Sequence, residues 1–290
     1  MEFNNKGLFN RHTVIKNDFR NLVSGDNDDV YRQMITGNYN SNLFSYLINL
    51  NKQRLNDFKS ILFYNEANLA SQISQSRNLE EIITNNTIKL PKPSKKIKRN
   101  FSDVLNERKS VRVFSHHVMD ILELSNILSF SFGISKKVTN IGDIKTVHRF
   151  YPSGGGLYPI EIYIYVNSVQ NLEKGFYLYQ PYSHSIRKIN SVTKDIDKCF
   201  VGDNLDLKNI NFSIFYKYSL NRTYLKYGEL SLLTTLIEVG TMTQNLELVS
   251  ASFYYSTCSI AGFEKKYIEN ILNLDSINDH IIFAAICGKE

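Results

Sequence analysis

The chain has 290 residues, of which 42% are hydrophobic and 21% charged, so it can bury a large core as one large domain or a domain with a smaller accessory region. Its start has no basic segment followed by an apolar stretch, and no run reaches membrane-spanning length, which predicts a cytoplasmic protein without membrane insertion. Cys199, Cys258 and Cys287 are far apart, odd in number and set in apolar surroundings, which argues against a disulfide framework and a zinc knuckle.

The net charge of +6 comes entirely from the first hundred residues, where 15 Lys and Arg face 9 Asp and Glu; the rest of the chain has 19 of each. Six of these cations lie between Lys89 and Arg99, and the prolines there favour an extended backbone. We interpret residues 89–100 as a basic, solvated linker, with a docking strip for an acidic partner as the alternative. Nucleic-acid binding is not expected, because stacking aromatics do not interleave with the basic residues.

Residues 1–88, upstream of this linker, have mainly helical periodicity. Apolar side chains recur at helical spacing at Leu43, Tyr46, Leu47 and Leu50, and again at Phe58, Ile61 and Leu62. The pattern predicts a helical N-terminal accessory region, and it contains no catalytic constellation.

Residues 101–290 mix helices and strands. Ser102 is expected to cap a short helix that ends near Arg108, and a second helix is predicted over residues 119–132, ended by Gly133. Alternation of apolar residues predicts a strand over 158–166, a hairpin over 175–189 that turns at 181–183, and strands over 212–218 and 281–287. This order favours an α+β fold over a doubly wound dinucleotide fold.

A long helix is predicted over residues 229–252. One stripe of this helix is expected to consist of Leu232, Leu236, Val239, Thr243 and Leu246. Gly240 would cost about 1 kcal/mol in an exposed helix, so close packing or a ligand is expected there.

The first segment with binding chemistry is ERKSVRVF, residues 107–114. Three cations and one hydroxyl lie within five positions, which suits a phosphate or a flavin ribityl chain: Arg108, Lys109, Ser110 and Arg112. The alternative is a solvated helix end. Adjacent His116 and His117 cannot easily share one metal and have no matching carboxylate spacing, so no metal site is predicted.

The second segment is RFYPSGGGLYP, residues 149–159. Three glycines before a strand remove side chains where something flat or charged must approach the backbone, and Ser153 adds a hydroxyl. No lysine follows the glycines and a strand comes next, so the segment differs from nucleotide phosphate loops. On residue chemistry alone it is either a ligand loop or a turn.

These segments occur in one order with a Tyr-x-Tyr hairpin near Tyr177 and His184, Lys-Tyr-Gly at 226–228, and Gln244-Asn245. The ordered set resembles the nitroreductase superfamily and, within it, the SagB-type dehydrogenases, which oxidise thiazolines and oxazolines in ribosomally made peptides, including bacteriocins, to thiazoles and oxazoles. The match covers roughly residues 90–288. It implies a nitroreductase-like domain over 101–290, with a mixed, mainly antiparallel sheet flanked by helices, and FMN at a homodimer interface.

The resemblance also implies a set of FMN-binding residues. The phosphate and ribityl end would be held by Arg108, Lys109, Ser110 and Arg112, with a further phosphate contact from Lys289. The isoalloxazine would be approached by Pro152, Ser153, Gly154 and Gly155. The backbone amide facing flavin N5 would come from residues 259–263, which include Ile260, Ala261 and Gly262.

Lys226 and Tyr227 resemble the paired Lys-Tyr that the azole-forming branch uses in catalysis. Aromatising an azoline requires removal of a proton from carbon and transfer of a hydride, so a base beside the flavin is needed. A lysine can act as that base if its pKa is lowered, with the tyrosine positioning or relaying the proton. The alternative is a chance dipeptide in a loop. Thr241 stands where relatives often carry histidine, which bears on activity.

Three functions follow. The leading one is FMN-dependent azoline oxidation on a precursor peptide, in a complex with the cyclodehydratase that makes the rings. The second is a general NAD(P)H-dependent nitroreductase or quinone reductase. The third is an inactive or flavin-free scaffold subunit of a peptide-modifying complex.

Overall fold

The computed structural model describes residues 81–94, 96–141, 144–190, 196–202 and 204–290, together with Tyr46. Contacts divide the chain into two compact units, Met1–Lys59 and Ser60–Glu290, and the features below belong to the second. The helical region predicted over 1–88 lies largely outside the described residues. The three-part domain division therefore stays a prediction.

Strands outnumber long helices in the described part of the chain. The strands are β1 (Thr87–Lys89), β2 (Ile134–Ile141), β3 (Ile144–Arg149), β4 (Ile160–Val166), β5 (Gly175–Gln180), β6 (Ser185–Asn190), β7 (Phe212–Ser219), β8 (Ser256–Ile260) and β9 (Asp279–Gly288). The α-helices are α1 (Phe101–Glu107), α2 (Ile121–Phe132), α3 (Tyr224–Tyr227), α4 (Leu230–Ser252) and α5 (Lys265–Ile271).

Seven of the strands form one sheet in the order β1-β6-β5-β4-β7-β9-β8. Every neighbouring pair in it is antiparallel, with Tyr163 opposite Leu178 on β5 and Phe215 on β7. A separate hairpin joins β2 to β3. The predicted α+β class, an antiparallel sheet flanked by helices, is confirmed.

Both faces of the sheet are buried, and β4 shows why. Its isoleucines, such as Ile162 and Ile164, pack with α2 and α4, whereas Tyr163 and Tyr165 pack on the opposite face with α5. Successive residues of a strand point to opposite faces, so the predicted alternation of this strand holds residue by residue. Each fully buried isoleucine contributes roughly 1.5–3 kcal/mol.

Helices α1 and α2 are each capped at the N-terminus by a polar side chain. Helix α1 is capped by Asn100, whose side chain accepts the backbone N–H of Ser102, so the expectation that Ser102 is the cap was wrong by two residues. Helix α2 begins after Asp120, which forms a reciprocal capping box with Glu123, and it ends at Gly133 as predicted.

Helix α4 buries only part of the predicted stripe. Val239 and Leu246 are in the core, but Leu232 and Leu236 are 38% and 47% exposed, and the neighbouring Ile237 is 59% exposed. Gly240 has open space where a side chain would project, so the expected close packing at this glycine is absent within the described part of the chain. An apolar face on the first half of α4 is thereby left exposed.

Several elements were not predicted: β1, the β2–β3 hairpin, β8 and α5. Strand β1 has only three residues and is set by pairing with β6, and α5 has only seven. Short elements of this kind depend on tertiary contacts more than on local periodicity.

The basic segment after β1 has no regular secondary structure in its described residues. Lys92, Lys96 and Lys98 are exposed, whereas Leu90 is buried in the core. Near its end, Arg99 is ion-paired with Glu107 and donates to the carbonyl of Ala251. Lys92 and Lys96 are therefore solvated, whereas Arg99 is held against the domain.

None of the helices in the described ranges is long and apolar enough to cross a membrane.

Candidate functional site

The glycine loop between β3 and β4 has a backbone that only glycine adopts without strain. Gly154–Gly156 form a single 3₁₀ turn, in which Gly155 and Gly156 have φ angles of 60° and 68°. The left-handed region costs an ordinary L-residue roughly 1–2 kcal/mol. Strand β4 starts shortly after the turn, as the sequence predicts for a loop that feeds a strand.

Ser153 anchors this loop to α4. Its hydroxyl donates to Oε2 of Glu238 at 2.5 Å and accepts the backbone N–H of Tyr158 at 2.8 Å. Glu238 is 3% exposed. The loop is therefore fixed from beneath by a buried carboxylate that the sequence did not single out.

Arg149 braces the other side of the loop. Its backbone N–H donates to the hydroxyl of Tyr158, and its guanidinium donates to the hydroxyl of Tyr151 at 2.7 Å and lies 4.8 Å from the centre of the Tyr158 ring. Burial opposes its charge, but the hydroxyl of Tyr151 and the carboxylate of Glu238 raise the pKa of Arg149 above its ordinary value. Arg149 stays cationic and holds the two tyrosines.

Lys226 and Tyr227 lie against the glycine loop. A Cβ on Gly155 would clash with Nζ of Lys226 and would come within 2.6 Å of the Tyr227 hydroxyl. Nζ of Lys226 is 5.3 Å from the centre of the Tyr227 ring. The structure thus brings together the glycine loop and the predicted catalytic pair, which are about 70 residues apart in the sequence.

The Lys226 side chain is in a desolvated setting. The residue is 5% exposed, and burial lowers the pKa of its amine below that of an ordinary lysine. It lies in the short helix α3, which ends at Gly228 with a φ angle of 51°. An amine with a lowered pKa can take up a proton closer to neutral pH than an ordinary lysine can.

The predicted phosphate cluster lies elsewhere, at the end of α1. A cavity of about 430 Å³ is lined by Arg108, Lys109, Tyr255 and Thr257, among others. The segment following α1 runs beside β8, where the backbone N–H of Val111 donates to the carbonyl of Thr257. The residues expected to hold the phosphate, apart from Lys289, therefore follow one another along the edge strand of the sheet.

Acidic residues partner the cations of this cluster. Arg108 is 3.4 Å from Glu247, and Lys109 is paired with Glu290 at 2.6 Å. Both pairs are partly exposed, so each is worth about 1 kcal/mol or less and can open for an anionic ligand.

Lys289 and residues 259–263 lie on the same side of the domain as this cluster. Nζ of Lys289 is 4.8 Å from the centre of the Tyr255 ring, and Tyr255 lines the cavity. Ser259 donates to Glu247 at 2.7 Å, while Gly262 accepts the N–H of Val201 through its carbonyl and is exposed. The phosphate cluster and the predicted N5 segment are therefore neighbours.

The two groups lie against opposite halves of α4. The nearest described neighbours of Gly154 include Thr234, whereas Arg108 and Ser259 meet Glu247, thirteen residues further along. At 1.5 Å per residue this is about 20 Å along the helix axis, and it is about 14 Å from Glu238, which Ser153 contacts. One chain does not bring the glycine loop to the phosphate cluster.

Glu238 and Glu247 are the functional candidates that sequence reasoning missed. Glu238 occupies a position of the buried stripe of α4 that Val239 and Leu246 also share. An acid in a helical stripe whose other buried residues are apolar or carry only hydroxyl groups was the available signal. Thr241, one turn on, donates to the carbonyl of Glu238 and borders a groove with Pro152.

Comparison with known proteins identifies the family of this chain. The sequence profile described as Nitroreductase family matches residues 105–289. A Methanocaldococcus jannaschii protein assigned to the nitroreductases, MJ1384, is 33% identical over 180 residues, which cover 59% of this chain and 83% of that protein. The Microcin B17-processing protein McbC of Escherichia coli is 30% identical over 139 residues, 46% of this chain and 51% of McbC.

Solved structures share the fold. A nitroreductase-type protein from Ralstonia eutropha superposes with a TM-score of 0.57 at 18% identity, covering 71% of this chain and 91% of that chain. A chain of the E. coli microcin synthetase McbBCD complex, solved with truncated pro-MccB17 bound, superposes with a TM-score of 0.53 at 20% identity, covering 80% of this chain and 93% of that chain.

Proposed function

The chain belongs to the nitroreductase family of oxidoreductases, and from that premise we propose that it is an FMN-dependent azoline dehydrogenase, which oxidises thiazoline or oxazoline rings of a ribosomally made peptide to thiazoles or oxazoles. The observation that carries the proposal is the buried amine of Lys226 beside Tyr227 at the glycine loop. The similarity to McbC supports it.

The chemistry needs a base, and Lys226 suits that role. Bound FMN would supply the hydride acceptor, and the protein must take a proton from a ring carbon. The lowered pKa of Lys226 makes its neutral, proton-accepting form accessible closer to neutral pH. The hydroxyl of Tyr227, close to the same point of the loop, is placed to orient the ring or relay the proton.

The residues present fit FMN. Phosphate would be bound by the cations around the cavity at α1, from Arg108 to Lys289, because Arg and Lys donors match phosphate oxygens. The glycine loop leaves its backbone free of side chains, as close approach of a flat ring requires. Its anchored backbone would support the ring without rearranging.

A homodimer would complete this site. The loop and the phosphate cluster are about 14–20 Å apart along α4, and the exposed apolar face of Leu232, Leu236 and Ile237 lies nearer the loop. A second copy whose α4 is antiparallel to the first, with the two-fold axis near Gly240, midway between Thr234 and Glu247, would bring the loop of one chain to the phosphate cluster of the other.

Replacing Ile237 by glutamate is expected to convert the dimer to a monomer and to remove bound FMN, because a charge would be buried at the proposed interface. Size-exclusion chromatography with light scattering, together with the flavin absorbance of the purified protein, measures both. Ile277→Glu, at a position 73% exposed outside this face, is the matched control and should change neither. A wild-type monomer that holds FMN would contradict the proposed interface.

We further propose that the enzyme acts within a complex containing a cyclodehydratase. The fold similarity to a chain of the McbBCD synthetase, solved with a pro-peptide, supports this partner class. Such a complex would pass each azoline directly from the ring-forming step to oxidation.

The experiment that tests the function incubates the purified protein, FMN and an azoline-containing peptide with the partner proteins. Mass spectrometry should detect a loss of about 2 Da per ring, the two hydrogens passed on in the oxidation. Absence of that loss, combined with rapid reduction of small nitroaromatics or quinones by NADPH, would instead identify a general reductase. A colourless protein that binds the peptide-modifying partner would identify a scaffold subunit.

A further inference from the structure

The hydroxyl of Ser153 has no hydrogen left for a ligand. A serine hydroxyl has one hydrogen and two acceptor lone pairs. The hydrogen is donated to Glu238 at 2.5 Å, a length typical of an O–H group bonded to a carboxylate, and one lone pair accepts the N–H of Tyr158. Ser153 therefore cannot donate to a flavin carbonyl while this arrangement holds.

Glu238 is a fixed point for the loop. It lies in the middle of α4, on the buried stripe, so the helix leaves its carboxylate little freedom to move. The same hydroxyl that it binds also accepts the N–H of Tyr158, whose φ angle of 48° marks a strained turn at the end of the loop. Both ends of the glycine turn thus meet at the Ser153 hydroxyl, which Glu238 holds.

A second hydrogen bond joins the two ends of the segment between β3 and β4. The Tyr158 hydroxyl accepts the backbone N–H of Arg149 at 3.1 Å, so the residue that ends β3 is joined to the segment that leads into β4. Glu238 also acts at a distance here: burial raises the pKa of Tyr151, the charge of Arg149 opposes that rise, and the carboxylate of Glu238 adds to it. The tyrosine hydroxyls stay neutral and remain hydrogen-bonded.

We propose that Glu238 is a positioning residue, which through the Ser153 hydroxyl holds the glycine-loop backbone in place for the flavin, and that Ser153 is an anchor of the loop and not a side-chain ligand. The inference rests on the proposed function for the identity of the cofactor. It concerns contacts within this chain, so it can be measured separately from ring oxidation.

The test is a double-mutant cycle between Ser153 and Glu238. Ser153→Ala, Glu238→Gln and the double variant are compared for FMN dissociation constant, by flavin fluorescence, and for unfolding free energy of the cofactor-free protein. We expect Ser153→Ala to weaken FMN binding about tenfold, since it leaves both Tyr158 N–H and Glu238 without this partner. The double variant should be about as weak as Ser153→Ala alone, because both changes break one connection.

Ser153→Thr is the rescue control. The residue has φ −136° and ψ 140°, an extended conformation that suits a β-branched side chain, and threonine keeps the hydroxyl. Its FMN affinity should stay within about twofold of the wild type. A direct flavin ligand would give a different pattern: Ser153→Ala would weaken FMN binding, Glu238→Gln would not, and the two effects would add.

Additive effects on both FMN affinity and unfolding would overturn the inference, and so would wild-type FMN affinity in Ser153→Ala. A wild-type protein that takes up no FMN would overturn the proposed function and the positioning role together. Coupling between the two residues in unfolding free energy would then show the anchor as purely structural.

Discussion

Lys226→Ala is expected to stop ring oxidation, with turnover at least about 100-fold lower, while the protein still takes up FMN. The amine of Lys226 is buried beside the glycine loop, and no phosphate or ribityl contact is assigned to it. Truncation also removes a buried amine, so folding should be retained. Peptide mass spectrometry measures the oxidation, and the visible flavin spectrum measures cofactor content.

Two further variants separate a base from a charge. Lys226→Arg keeps a cation that proteins do not deprotonate, so it should be nearly as inactive as Lys226→Ala if the amine must accept a proton. Lys266→Ala, on the exposed side of α5, is the matched control and should keep full turnover. Substantial activity in Lys226→Arg would assign the residue an electrostatic role instead.

The pH dependence of turnover follows from the same amine. Burial lowers the pKa of Lys226, so the neutral form that can accept a proton is populated at lower pH than for an exposed lysine. Turnover should rise with pH and level off above this lowered pKa, and Lys226→Ala should abolish that rise. For stability, a depressed lysine pKa means that the folded state loses stability as pH falls from the ordinary lysine pKa to the lowered one.

Local patterns predicted most of the sheet and the order of the main helices. The alternation in β4 could be recognised in the sequence because both faces of that strand are packed, with isoleucines on one side and tyrosines on the other. Gly133 predicted the end of α2. Asp120 and Glu123, which form the N-terminal capping box of this helix, were not singled out.

The exposed half of α4 could not be predicted in the same way. Leu232 and Leu236 have the spacing of a buried stripe. Periodicity alone does not distinguish a face that packs within the chain from one that packs against a second subunit. The proposed two-fold interface would bury these side chains, which explains why they are apolar.

The site itself was predicted only in part. The resemblance named Lys226, Tyr227 and the glycine loop, and the structure places these three together. It could not indicate that the Ser153 hydroxyl turns towards Glu238, since that depends on how the loop packs on α4, 85 residues further along the chain. Buried hydrogen bonds between distant segments leave no periodic signal in a sequence.

Gly155→Ala is expected to reduce ring oxidation as severely as loss of Lys226, by about 100-fold. The new Cβ would meet Nζ of Lys226 and lie within 2.6 Å of the Tyr227 hydroxyl, so one or both side chains must move away from the loop. The φ angle of 60° adds strain of roughly 1–2 kcal/mol. Peptide turnover and thermal unfolding of the same preparation measure the two consequences separately.

Gly156→Ala separates the effect of backbone strain from the effect of displacing Lys226 and Tyr227. Gly156 also has a left-handed backbone, with φ 68°, but among the described residues no atom beyond its immediate neighbours lies within 4 Å of the place that an alanine methyl group would take. Alanine there should lower the unfolding midpoint by an amount similar to the strain part of Gly155→Ala, yet leave most of the turnover. Equal losses of turnover in the two variants would mean that backbone strain, and not the position of Lys226 and Tyr227, controls the reaction. A selective loss in Gly155→Ala would tie catalysis to the amine and hydroxyl that this glycine makes room for.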